Sequence, residues 1–393
     1  MEKTPLSSRT HVSIFGDTNA GKSALFNKLI GQDMVIVSDV RGTTTDPVTK
    51  AMELIPYGPI ALTDTAGLGD TTEMGAERMK KTEKILERTD FAIYAADCAG
   101  FDEAAYRDLA GMFEKRKIGH LLVFTKSDLG KPDIAEKYPN AVFVSVYDEG
   151  SVETLKRLLA ERLSELCDEE QTMIGRLLPE GSTIVLVIPI DSEAPKGRLI
   201  LPQVQFIRDC LDHGMKAVCV RDTELAETLS ELPRVDLVVT DSQAFYEVSR
   251  IVPEDIKLTS FSMMMAGMKG DLAEFIRGAD AVKSLEDGSR ILMAEACTHN
   301  VSHEDIGRVK IPSLLKKCTG KELRFDYCVG YDFPDNIDDY DLVIHCGGCM
   351  INSRAIRNRI TVCREHGIPI SNYGVILAYV NGITERSRRV FGL

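Results

Sequence analysis

Short apolar runs alternate with amphipathic stretches along the whole chain. The runs at 11–15, 60–62, 121–124 and 141–144 read as buried strands, and those at 183–190, 217–220, 235–239, 291–296 and 342–344 continue the series. Between them, apolar positions recur at helical spacing over 24–30, 73–88, 151–166, 204–211, 223–232 and 243–251. Alternation of this kind predicts parallel sheets covered by helices, so the expected fold class is α/β. A polar stretch ending in Pro-Glu-Gly-Ser at 179–182 interrupts the rhythm. Three domains in series are therefore expected: 1–166, then a linker at 167–182, a small helix-flanked sheet at 183–265 and another at 266–393.

Length agrees, because 393 residues exceed one ordinary core. The net charge of −13 argues against nucleic-acid partners and anionic membrane surfaces. No apolar run is long enough to span a bilayer, and no charged-then-apolar leader precedes 11–15, so a cytoplasmic location is expected. In that compartment the ten cysteines are expected as reduced thiols, either metal ligands or small buried side chains.

The chemistry begins at 16–23, Gly-Asp-Thr-Asn-Ala-Gly-Lys-Ser, between the first strand and the first helix. Strand, glycine loop and helix in that order form a phosphate-binding loop: main-chain N–H groups turn inward and the helix N-terminus adds positive potential. The cradle comprises Gly16, Asp17, Asn19, Ala20, Gly21, Lys22, Ser23 and Ala24. Lys22 is expected on the β- and γ-phosphates and Ser23 on Mg²⁺. Asp64, closing the run at 60–62, suits Mg²⁺ held through water, and Gly67 can present a bare amide to the γ-phosphate. Asp128, in Thr125-Lys126-Ser127-Asp128, can accept two hydrogen bonds from guanine that adenine cannot offer, with the Lys126 stem along the base. A main-chain N–H at Ser145 or Val146 is expected to meet guanine O6.

Four such strings in this order resemble the small Ras-like GTPases over roughly 8–165, with one departure: Thr125 stands where the common pattern has Asn. GTP is thus the expected substrate. Leu68 occupies the place of the glutamine that orients water in Ras-like switches. Asn19 and the segment 41–46, Arg-Gly-Thr-Thr-Thr-Asp, resemble the TrmE/Era group. That resemblance implies K⁺ on Asn19 in place of an arginine finger, and Thr44 as the second Mg²⁺ ligand. Lys22, Asn19 and Gly67 are then the residues expected to serve hydrolysis.

No catalytic constellation stands out in the middle third. Cys210, Cys219 and the run Met263-Met264-Met265 read as packing residues, and structural or oligomer-forming use is expected. The last third differs. Its apolar runs deliver Cys297-Thr298-His299 and His345-Cys346-Gly347-Gly348-Cys349, with 45 residues between the two histidines. Thiolates and imidazoles in loops after strands suit either zinc or an iron–sulfur cluster. Cys318, Cys328 and Cys363 lie outside this pattern and read as core thiols.

Taken over its full length, the chain resembles the [FeFe]-hydrogenase maturation GTPases, the HydF family. The resemblance implies a [4Fe–4S] cluster on Cys297, Cys346 and Cys349, with His345, His299, a nearby carboxylate or solvent as the fourth ligand. It also implies a transient di-iron precursor as cargo, two radical-SAM maturases and apo-[FeFe]-hydrogenase as partners, and a homodimer formed through the middle domain. The alternative from another class is a TrmE/Era-like GTPase serving RNA modification or ribosome assembly, with a structural zinc.

Overall fold

The computed structural model describes residues 4–31, 47–65, 75–130, 132, 136–166, 172–190, 199–296 and 305–393. The chain divides into two compact units, Met1–Glu170 and Gln171–Leu393.

The first unit is built on β1 (Thr10–Gly16), β2 (Val48–Leu54), β3 (Gly58–Asp64), β4 (Phe91–Asp97), β5 (Gly119–Thr125) and β6 (Val142–Phe143), in the spatial order β2-β3-β1-β4-β5-β6. Only β2 runs antiparallel. The central strands are apolar on both faces because both are covered: Ile14, Ile93 and Val123 enter one core, and their neighbours Phe15, Tyr94 and Phe124 enter the other. Parallel register brings Gly16, Asp64, Asp97 and Thr125 to the same carboxyl edge of the sheet.

The second unit holds two more sheets, both wholly parallel. One comprises β7 (Thr183–Val187), β8 (Lys216–Val220), β9 (Leu237–Thr240) and β10 (Lys257–Ser260), ordered β10-β9-β7-β8. The other comprises β11 (Arg290–Glu295), β12 (Arg324–Val329), β13 (Leu342–His345) and β14 (Ile370–Asn372), ordered β12-β11-β13-β14. Three sheets were expected, but the last two share one core, where Val185, Val238 and Leu258 join Leu292, Ile344 and Ile376. The expected division at 265/266 falls inside the helix Phe261–Lys269. Its Met263 and Ala266 enter the shared core, and Met264 and Met265 enter the core on the other face of the β7–β10 sheet.

Two further differences from the sequence expectation have physical causes. The tail of the expected linker is packed: Met173 and Ile174 are buried, and Asp209 accepts hydrogen bonds from Thr172 Oγ1 (2.9 Å), Met173 N (2.8 Å) and Ile174 N (2.8 Å). Cys210 and Cys363 are buried thiols, but Cys219 on the edge strand β8 and Cys318 near the end of a surface helix are exposed. Among the described residues no helix is long and apolar enough to cross a membrane.

The C-terminus returns to the β7–β10 sheet, with Val390 in its core. Arg386, buried, donates to Ser249 O (3.0 Å), Val252 O (2.8 Å), Pro253 O and Ile256 O (3.3 Å). Truncation to alanine would strip these carbonyls of a charged donor. Arg386→Ala is therefore expected to cost about 3 kcal/mol. For a unit of this size that lowers the melting temperature by roughly 6–12 °C. Calorimetry of the full chain checks this, with the shift expected in the transition of the second unit.

Candidate functional site: a phosphate loop and a cysteine loop

The phosphate loop leaves β1 through a backbone that few residues adopt. Gly16 has φ +138°, and a Cβ there would lie 2.0 Å from Ala95 O on the neighbouring strand. Asn19 takes φ +64°, a left-handed conformation that Asn tolerates better than most residues. Gly21 caps the helix Lys22–Ile30, also left-handed. The buried Lys22 folds its ammonium across the loop, donating to Gly16 O (2.9 Å) and Asp17 O (2.6 Å). Ser23 and Ala24 follow in the first turn of the same helix.

Around this loop the other strand ends are tied in. Asp64 is buried at the end of β3, and Thr65 Oγ1 donates to Ile14 O (2.5 Å). Thr125 Oγ1 lies 2.7 Å from Ala20 O and 3.1 Å from Ala96 O, so this hydroxyl fastens β5 to the phosphate loop. The threonine that departs from the common pattern thus keeps a strand-to-loop link. Lys126 pairs with Asp97 at 2.6 Å. Ser145 Oγ donates to Asp128 Oδ1 (2.6 Å) and so orients the carboxylate expected to read the base. Ser145 N is engaged by Ser151 Oγ (3.1 Å), so the expected main-chain donor to O6 falls to Val146. Thr44 and Gly67 lie outside the described residues.

The second cluster lies at the carboxyl ends of β11 and β13. Cys346 N donates to Ala294 O (2.9 Å), and Cys346 Sγ accepts from Ala296 N (3.1 Å) and Gly348 N (3.4 Å). Main-chain N–H groups aimed at sulfur favour a thiolate. Burial works the other way and holds the thiol up at about 11. Ala296 immediately precedes Cys297; Cys297 and His299 themselves lie outside the described residues. Gly348 has φ +67°, and a Cβ there would strike Ile356 Cδ1 at 2.5 Å, so the bend between Cys346 and Cys349 requires glycine.

The imidazole of His345 is held on both sides. It is buried in β13, its Nδ1–H donates to Cys346 O (2.7 Å), and its Nε2 accepts from Arg359 (2.9 Å). Both ring nitrogens are spent. Burial and the adjacent guanidinium pull its pKa down to about 3, so the ring is neutral. Strand spacing places His345 beside Cys346 without revealing this orientation. Sequence reasoning also missed three supports: Arg359, Asn372, whose Nδ2 donates to Cys346 O (3.0 Å), and Lys269. All three reach the loop from distant segments, and none carries a local motif.

Fold and site together define a Ras-like P-loop GTPase domain followed by an α/β body that carries a cysteine loop. A model described as the hydrogen maturase F dimerization domain matches residues 173–270, one described as its tetramerization domain matches 273–390, and one described as a 50S ribosome-binding GTPase matches 11–126. The chain belongs to the hydrogen maturase F (HydF) family, and its oligomer-forming domains include a tetramerization domain where sequence reasoning expected only a metal-binding one. Among curated relatives, GTPase Der of Wolinella succinogenes is 36% identical over 35% of this chain and 29% of its own length. The tRNA modification GTPase MnmE of Aquifex aeolicus is 28% identical over 58% of this chain and 49% of its own. The chain therefore spans less than half the length of each.

Proposed function

We propose that this protein couples GTP hydrolysis to assembly of the [FeFe]-hydrogenase active site, holding a [4Fe–4S] cluster on Cys297, Cys346 and Cys349. The observation that carries the reading is the Cys346 sulfur held by two main-chain N–H groups inside a hydrogen maturase F domain. Thiolate donors cradled in this way fit an iron–sulfur centre. Cys297, Cys346 and Cys349 would hold such a cluster with three thiolates, which would leave a place for an exchangeable ligand or a di-iron precursor. We take His345 not to be that ligand, because both of its ring nitrogens are already hydrogen-bonded.

On the nucleotide side, Lys22 neutralises the β- and γ-phosphates, and Ser23, Thr44 and Asp64 serve Mg²⁺. Asn19 helps to hold K⁺ where other GTPases use an arginine. Leu68 cannot orient water, so unstimulated turnover is slow. GTP biases a conformational or partner-release step rather than driving cluster chemistry. The partners are two radical-SAM maturases, which supply the precursor, and apo-hydrogenase, which receives it; the protein works as an oligomer in the cytoplasm.

Anaerobic purification tests the reading. A brown protein with iron and sulfide in a stoichiometric cluster, and with potassium-stimulated GTP turnover, is expected. A colourless protein holding one zinc overturns it in favour of an RNA-directed GTPase.

A further inference from the structure

Lys269 ends the helix Phe261–Lys269 and is 2% exposed. Its ammonium donates to Gly348 O and Ile351 O, each at 2.9 Å, and so grips the cysteine loop from beneath. Among the described residues no carboxylate pairs with it. A buried cation held only by carbonyl dipoles is costly unless a negative charge lies close by. The groups near it include the thiols of Cys349 and Cys346, which, once ionised, hold the proton on an ammonium that burial alone depresses.

We propose that Lys269 is the built-in counter-charge of the thiolate centre. It fixes the Cys346–Cys349 loop through two carbonyls and offsets the negative charge that the sulfurs acquire on ligating metal. The inference rests on the cluster reading above and adds a residue contributed by the helix between the two sheets of the second unit. A positive charge fixed beside a cluster stabilises its reduced, more negative state. A neutral donor at the same place would keep hydrogen bonds to the loop and lose that effect.

The test compares anaerobically reconstituted full-length wild type with Lys269→Gln and Lys269→Arg, by iron and sulfide content and by redox titration followed by electron paramagnetic resonance. Wild type and Lys269→Arg are expected to load equally and to share a midpoint. Lys269→Gln is expected to load but to be harder to reduce, by about tenfold in the reduction equilibrium or about 59 mV for one electron. A loaded Gln variant with an unmoved midpoint would make Lys269 a structural donor only and end the proposal. If the Gln variant does not load, the Arg variant decides: loading with the wild-type midpoint supports the counter-charge, and a folded Arg variant that fails to load overturns it. A wild type that takes up no iron refutes the cluster reading and this inference with it, whereas normal wild-type loading beside an unmoved Gln midpoint refutes this inference alone.

Discussion

Lys22→Ala is expected to reduce GTP turnover by at least about 10²-fold, the loss typical of removing one donor from a developing oxyanion. Lys22 is the helix-borne cation of the loop, and its ammonium already lies within 2.9 Å of two loop carbonyls. It therefore needs only a small displacement to reach phosphates held in the same cradle. Both nucleotide affinity and the chemical step should suffer, because the charge serves ground state and transition state alike. Single-turnover hydrolysis at saturating GTP separates the two effects. A variant that binds weakly but hydrolyses at the wild-type rate once saturated would remove Lys22 from the chemical step. The same variant tests coupling: if partner affinity and hydrogenase maturation both persist without hydrolysis, the switching role assigned to GTP has no support.

The phosphate loop was legible in the sequence because its chemistry is local. Eight consecutive residues carry the glycines, the lysine and the helix start, and the structure keeps them in that order on β1 and the helix after it. The strand-end residues Asp64 and Thr125 were legible too, since parallel strands must end on one edge. What stayed hidden depends on distance along the chain. Lys269 meets the cysteine loop across 79 and 82 residues, and Arg386 meets its carbonyls across 130 to 137. Neither partner set has a spacing that a pattern could detect. His345 shows a second limit. A His-Cys pair after a strand names two ligand types, but β13 is covered on both faces, so its last side chain is free to turn inward toward Arg359. The merging of the last two modules was hidden for a related reason: periodicity marks which face of an element is apolar but not which element covers it.

Serine in place of Cys297, Cys346 and Cys349 together is expected to bring iron retained after anaerobic reconstitution down to background and to abolish hydrogenase maturation. GTP turnover should persist, because the phosphate loop belongs to the other compact unit. The hydroxyl is a harder, far less acidic donor than the thiol and holds iron weakly at neutral pH. Replacing Cys346 alone should account for much of the loss, since its sulfur is placed by two main-chain N–H groups. Those donors would remain, so the loop should keep its bend, and circular dichroism should show an unaltered fold beside the missing iron. If the triple variant keeps a full complement of iron, the metal sits elsewhere in the chain. The two N–H groups on Cys346 would then mark a half-buried thiol with no metal to serve.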